Sequence, residues 1–263
     1  MITSDRAATG MLIVAFAMLW VPLGQHTFLT VHWMKVGTFM APLLLLIAFT
    51  FRSDGELLSN PRMLSLLLLV AYIVHQFEEH WVDLYGRTYA FKPYLNEFLS
   101  TQMGYESSVE FMSDSSVFVI NTSLVWLVGA LAIWRGSAHI FTTLCMAAIV
   151  VVNAISHIVA GAVAGGYNPG LLSAVVIFLP LGIAVYGRLL LAGAATRRLV
   201  IASLIWGLFA HALLIGGILA MNQYDWLPEA VYFVILVAWS ILPAFAFPEP
   251  RLNPRNETSP ACS

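Results

Sequence analysis

Residues 63–80 read MLSLLLLVAYIVHQFEEH, an apolar run that ends in two histidines and two glutamates within six residues. The leucine-rich part has the composition of half a membrane-spanning helix. Ionisable groups at membrane depth cost roughly 3 kcal/mol each on insertion scales, so their presence favours a functional role. The alternative is that the helix ends before His75 and that these side chains lie in water. The amphipathic pattern that continues through residues 81–85 favours the first interpretation.

The composition of the whole chain points the same way. Of its 263 residues, 60% are hydrophobic and only 10% are charged, whereas a soluble domain carries about 25% charged residues. We therefore predict an all-α, polytopic transmembrane helix bundle. A net charge of −2 without a block of lysine or arginine gives no sign of nucleic-acid binding. The two cysteines, Cys145 and Cys262, form neither a CxxC motif nor a disulfide framework.

Eight apolar segments approach the 17–25 residues that a helix needs to cross the hydrocarbon. They cover residues 8–25, 36–51, 63–84, 115–134, 139–164, 170–190, 199–221 and 228–247. The first contains Pro22 and Gly24 and the second is short, so seven spans are the alternative count.

The basic residues indicate the orientation of these spans. With eight spans, nine arginines fall on one side: Arg6, Arg52, Arg62, Arg135, Arg188, Arg197, Arg198, Arg251 and Arg255. The other side holds only Lys35, Arg87 and Lys92. The positive-inside rule then places both termini in the cytoplasm.

The chain divides into a core and flanking parts. We expect two transmembrane helices in 1–62, the core in 63–190, two more helices in 191–247, and a disordered tail in 248–263. Within the core, residues 86–114 form the longest non-membrane stretch, on the outer side. Its mixture of aromatic and polar residues suits a short amphipathic helix or lid at the interface, and a plain solvated loop fits equally well.

The polar end of residues 63–80 has the spacing of a site. On a helix, His75, Glu78 and Glu79 share one face, because they are related by i, i+3 and i+4. His80 lies about 140° from His75 at 100° per residue, so it need not belong to the same site. Two adjacent carboxylates in a low dielectric repel each other and need a proton or a cation. No lysine or arginine within the predicted spans can supply this charge, because the basic residues all lie at span ends or in loops, so a metal ion or a histidinium is the candidate. His75, Glu78 and Glu79 are therefore our predicted catalytic residues.

Other predicted spans carry polar residues that could converge on this site. Asn153 and His157 are four apart and share a face, and His211 lies near the middle of its span. We predict metal ligation by His75, Glu78, Glu79, His157 and His211. The supporting residues are predicted to be Asn121, Asn153, Tyr167 and His80. The alternatives are that a single histidine such as His211 bonds a neighbouring helix and that the asparagines join helices by hydrogen bonds.

The donor set does not select one metal. Histidine and carboxylate suit zinc, iron or manganese, and no thiolate narrows the choice. The sequence does not match the HxxEH motif, because His80 comes one residue late, and paired Glu-x-x-His motifs are absent. We expect no nucleotide cofactor.

The residues resemble a known family. His75-Gln76-Phe77-Glu78-Glu79 resembles the defining motif of the HXXEE family of bacterial integral membrane proteins. Asn153 to His157, followed by Tyr167-Asn168-Pro169-Gly170 and Pro180, resembles that family's later signature. The resemblance covers about 60–190, so the flanking spans, and with them His211, receive no support from it. It implies a bacterial inner-membrane protein, and the family's function is unassigned.

Three functions fit the sequence. The first is a metal-dependent membrane enzyme that acts on a lipid or another apolar small molecule, with one glutamate as general base. The second is a metal-free acid–base enzyme, similar to sterol-isomerase-type proteins, in which a histidine donates and Glu79 accepts a proton. The third is a transporter, proton relay or accessory membrane subunit. In each case the bilayer surrounds the protein, and the sequence leaves the oligomeric state open.

Overall fold

The computed structural model describes residues 27–51, 60–106 and 110–247, and in these ranges the chain forms eight helices. They are α1 (Thr27–Phe51), α2 (Pro61–His80), α3 (Phe91–Met103), α4 (Asp114–Arg135), α5 (Ile140–Ala164), α6 (Leu171–Leu191), α7 (Arg197–Gln223) and α8 (Glu229–Ala244). The predicted all-α class is confirmed. The predicted first span, 8–25, and the predicted disordered tail, 248–263, lie outside the described residues.

Four of these helices, α4 to α7, are long and apolar enough to cross a membrane. The described part of the chain therefore contains fewer such helices than the eight expected spans. The apolar parts of α1 and α8, Thr30–Leu46 and Glu229–Ala244, are shorter, and the polar end of α2 lowers its hydropathy. Four apolar helices of this length support a membrane protein.

The predicted boundaries of α4 to α7 agree with the structure within two residues. The helix α1 starts at Thr27, nine residues before the predicted start. The helix α2 ends at His80 rather than at residue 84, because a polar turn follows it. The Asp83 carboxylate accepts hydrogen bonds from the backbone N–H of Tyr85 and Arg87, which satisfies the chain locally and stops the helix.

The centre of the bundle is α5, whose residues are buried continuously from Ile140 to Val152. It packs against α2, α4, α6 and α7. Small residues permit this close packing: a Cβ added at Gly207 of α7 would lie 2.9 Å from the Ala148 Cβ of α5. The helices around α5 are thereby packed closely against it.

The stretch 86–114 contains a helix, α3, so its interpretation as a plain loop is wrong for residues 91–103. Two asparagines fix the chain that follows α3. Asn96 accepts a hydrogen bond from the Phe111 N–H at 3.2 Å, and Asn222 donates to the Phe111 carbonyl at 2.6 Å. These bonds join α3 to α7 and hold α3 over the end of the bundle where α2 and α5 finish.

Candidate metal centre

Two helices bring a histidine, a glutamate and a second histidine together. One turn of α2 separates His75 from Glu79, and α5 supplies His157. The Nε2 atoms of His75 and His157 each lie 3.5 Å from a different carboxylate oxygen of Glu79. One donor atom from each residue lies within 4.8 Å of the other two, and all three residues are buried. We call His75, Glu79 and His157 the His/Glu cluster.

The hydrogen bonds of His157 define which ring nitrogen carries its proton. Asn168 donates its side-chain N–H to the His157 carbonyl at 2.9 Å, so its amide oxygen faces the imidazole ring. That oxygen lies 2.6 Å from Nδ1 and accepts its hydrogen. Neutral His157 therefore presents the lone pair of Nε2 to Glu79, the arrangement that oriented metal-ligating histidines adopt.

His75 is oriented in the same way by Ser173. The Ser173 hydroxyl donates to the Gly170 carbonyl at 3.2 Å and can accept from His75 Nδ1 at 2.9 Å. His75 is fully buried, and its Nε2 makes no hydrogen bond within the described part of the chain. This second imidazole thus also turns a lone pair toward Glu79.

Two lone pairs and a carboxylate converge on one buried point, which is unfavourable unless a cation lies between them. Each histidine Nε2 lies 3.5 Å from a Glu79 oxygen. Two ligand atoms that bind the same ion through bonds of about 2.0–2.2 Å are separated by a similar distance. The cluster therefore could hold a metal ion, and its chemistry and spacing both fit one.

Gly170 presses against both histidines of the cluster. A Cβ at this position would lie 2.7 Å from His75 Cε1 and 2.8 Å from His157 Cε1. The φ angle of Gly170 is +94°, a conformation that favours glycine. The turn before α6 thus sets the distance between the two rings and leaves no room for any other residue.

Glu78 points away from the cluster. Its carboxylate accepts hydrogen bonds from the backbone N–H groups of Leu172 and Ser173, at 3.1 and 2.7 Å, and from the Tyr167 hydroxyl at 2.9 Å. The first N–H groups of a helix attract negative charge, so the start of α6 neutralises this carboxylate. Burial and the bonded Glu78 raise the pKa of Tyr167, which keeps the phenol protonated as a donor.

His80 approaches Glu79 from the other side. Its Nε2 lies 3.0 Å from the Glu79 carboxylate and 3.2 Å from the Asn121 amide nitrogen, so it can donate to the former or accept from the latter. Gln76 donates to the Asn121 oxygen at 3.1 Å and accepts from the Trp126 ring N–H at 2.9 Å. His80, about 140° from His75 around the helix, is thus still in contact with the cluster, because its ring lies against Glu79.

Residues 66–185 match the model of a family described as a protein of unknown function with an HXXEE motif. This segment is therefore similar to the HXXEE family. The match agrees with the suggested resemblance and includes His75, Glu79 and His157. No curated protein and no solved structure matches the chain.

The remaining predicted site residues lie outside the His/Glu cluster. Asn153 donates to the Tyr72 hydroxyl and, like His157, lines a cavity beside the cluster. Tyr167 binds Glu78 rather than the cluster. His211 also lines the cavity, but its Nδ1 donates to the Gly207 carbonyl at 2.9 Å, and it is not part of the His/Glu cluster. The structure thus joins neither Glu78 nor His211 to the cluster.

A cavity of about 310 Å³ lies beside the cluster. Glu79 and His157 reach its wall, whereas His75 lies behind them. Most of the remaining wall is apolar, and its other polar residues are Tyr72, His80, Tyr94, Asn121, Asn153, Ser156, Asn168 and His211. A ligand in this cavity could therefore reach a metal on the cluster from the open side, as catalytic zinc sites require.

Several residues that support the cluster could not be assigned that role from the sequence. Asn168 and Gly170 stand out only as part of the later family signature, Gln76 only as a member of the motif, and Ser173 not at all. A signal for Asn168 and Gly170 exists, because they belong to the second block of the family signature. Ser173 and Gln76 carry no local signal, since their partners are 98 and 45 residues away in the chain.

Proposed function

We propose that this chain is an integral membrane enzyme that holds one metal ion at His75, Glu79 and His157 and acts on a lipid or another apolar small molecule. The observation that carries the proposal is the pair of imidazole Nε2 atoms aimed at one buried carboxylate, each with its Nδ1 bonded to a fixed oxygen. Zinc, iron and manganese all suit this donor set.

A bound ion would polarise a substrate oxygen or lower the pKa of a bound water. Glu79 would balance its charge, while Asn168 and Ser173 hold the two rings in orientation. His80, 3.0 Å from Glu79, lies at the cavity wall and is the candidate to exchange a proton with substrate. Glu78 has a structural role in this proposal, because its oxygens are already bonded at the start of α6.

The proposed setting is a bacterial inner membrane, with eight spans and both termini in the cytoplasm. The arginine distribution supports this orientation. The cluster lies near the ends of α2 and α5 and the start of α6, which this topology places in the outer half of the bilayer. The apolar cavity wall supports an apolar substrate.

A metal-free acid–base enzyme is the second candidate, and the contact between His80 and Glu79 favours it. These two groups could share a proton without any metal, one as acid and the other as base. In this candidate, protons on the histidines of the cluster, instead of a metal ion, would balance the Glu79 carboxylate.

Enzyme activity can be tested without a known substrate. Purified protein in nanodiscs is incubated with a bacterial lipid extract, and untargeted mass spectrometry compares wild type with Glu79→Gln. We expect at least one apolar species that only the wild type converts, and chelation to abolish the conversion. Conversion that survives complete metal removal would support the metal-free enzyme, and no Glu79-dependent change would contradict both.

A further inference from the structure

The structure contains a second cavity, formed by α1, α3 and the start of α4. It measures about 520 Å³, and His80, the last residue of α2, reaches its wall. His80 and Phe91 also line the cavity of about 310 Å³ beside the His/Glu cluster, which we call the cluster cavity. The two cavities are therefore neighbours, and these two side chains lie between them.

Aromatic contacts hold His80 in this position. The centroid of its ring lies 4.8 Å from that of Phe91 and 5.2 Å from that of Trp33. Trp33 lines the second cavity and not the cluster cavity. Toward the cluster, the same imidazole ring has its Nε2 3.0 Å from the Glu79 carboxylate. His80 thus contacts both the wall of the second cavity and the cluster.

Charged side chains line the second cavity where it meets the protein surface. Lys92 pairs with Glu110 and, at 2.8 Å, with Asp114, and the side chains of these two acids are 61% and 49% exposed. Ionised groups with this exposure keep water around them, because removing it is costly. Among the described residues that line the cluster cavity, Glu79 is the only acidic, lysine or arginine side chain. The surface groups that attract water most strongly thus belong to the second cavity.

Water has both space and a partner in the second cavity. A single water needs at least about 10–15 Å³, which is far below the volume of about 520 Å³. The described polar contacts of His80, with Glu79 and Asn121, both use Nε2, so Nδ1 is left to bond a water molecule. Water that enters from the surface can thereby reach a side chain that contacts Glu79.

We infer that the second cavity is the route by which water reaches the His/Glu cluster, and that His80 is the side chain at which this route ends. Water arrives there separately from any molecule that occupies the cluster cavity. The inference names water as a second substrate of the proposed enzyme, and it rests on the proposed function for that role.

Hydroxyl-radical footprinting tests this route, because radicals formed from water by an X-ray pulse modify the side chains that the water touches. Wild-type protein in phosphatidylcholine nanodiscs is irradiated, and its modified residues are mapped by mass spectrometry. We expect oxidation of His80, although it is only 5% exposed. Met146 should stay unmodified, since methionine is readily oxidised but this one is fully buried and lies outside both cavities. A His80 as unreactive as Met146 would overturn the inference.

Three tryptophan variants identify the route. Val31 lines the second cavity, Leu214 lines the cluster cavity, and Val36, on the same helix as Val31, lines neither and is 45% exposed. Val31→Trp should lower the oxidation of His80 about fivefold, because the indole takes up cavity space that water would occupy. Leu214→Trp and Val36→Trp should leave it unchanged, and an unmodified Met146 shows that each variant is folded. Loss of His80 oxidation in Leu214→Trp but not in Val31→Trp would overturn the inference, because water would then enter through the cluster cavity.

The footprint and the metal content are measured on the same preparation, so two failures can be told apart. Oxidation of His80 that depends on the second cavity, in a protein without bound metal, would leave the water route standing and contradict the metal enzyme. Bound metal with a protected His80 would do the reverse.

Discussion

Glu78 and Glu79 are neighbours in the chain, yet their carboxylates have different partners. Glu78 accepts two backbone N–H groups at the start of α6, while Glu79 lies within 3.5 Å of three imidazoles, those of His75, His80 and His157. Two adjacent buried acids are thus accommodated by two separate means, a helix N-terminus and a ring of histidines. Only Glu79 has an environment suited to a metal.

The same substitution at these two neighbours should give opposite results. Glu79→Gln removes the charge that a metal needs and should abolish metal binding while the fold persists. Glu78→Gln should retain the metal but destabilise the protein by about 1–3 kcal/mol. The reason is that the amide N–H of glutamine replaces one carboxylate oxygen, so a buried donor at this site loses its acceptor. Metal content and thermal unfolding of the two variants provide the check. Loss of metal in Glu78→Gln without loss of stability would make Glu78 a ligand.

Substitution of Gly170 should disturb both histidines at once. Alanine at this position has its Cβ within 2.8 Å of the two rings, so Gly170→Ala should lower metal affinity by at least about tenfold through displaced ligands. Gly165→Ala is the matched control, since Gly165 also has a positive φ, +69°, but open space around its Cβ. Titration with zinc distinguishes them. Equal affinities of the two variants would show that backbone strain alone matters.

Asn168 should act through its bond to His157. Asn168→Ala leaves His157 Nδ1 without its acceptor and should weaken metal binding by about 10–100-fold. Asn168→Asp keeps an oxygen in place and should restore most of the affinity. An Asn168→Asp variant as weak as Asn168→Ala would contradict this orienting role, because it would show that the amide–carbonyl bond to the backbone matters instead.

Much of this architecture follows from the sequence, because apolar runs of membrane length predict helices directly. The boundaries of α4 to α7 are examples. The end of α2 could not be predicted, since it depends on the contacts of Asp83 rather than on hydrophobicity. The site divides in the same way: the i, i+4 relation of His75 and Glu79 is local, whereas the bonds from Glu78 to α6 need the tertiary arrangement. The helix N-terminus was therefore overlooked as the group that compensates Glu78.

The stability of helix α3 should depend on Lys92. Burial alone lowers the pKa of Lys92, but its bonds to Asp114 and Glu110 outweigh burial and raise it. A raised folded-state pKa means that the stabilisation is complete below the value of a free lysine, about 10.4, and is lost as pH rises through the folded value. Amide hydrogen exchange of residues 91–103 should therefore be faster in Lys92→Gln than in the wild type at neutral pH. In the control variant Lys35→Gln it should change less. Equal protection in both variants would contradict the anchoring role.

Elemental analysis of the purified protein tests the central claim most directly, with wild type beside His75→Ala, His157→Ala and His211→Ala. The account predicts about one equivalent of zinc, iron or manganese per chain in the wild type and in His211→Ala, and loss of that metal in the other two variants. A folded wild-type protein without metal above background would contradict the metal site. Retention of the metal in both His75→Ala and His157→Ala would show that any bound ion lies elsewhere.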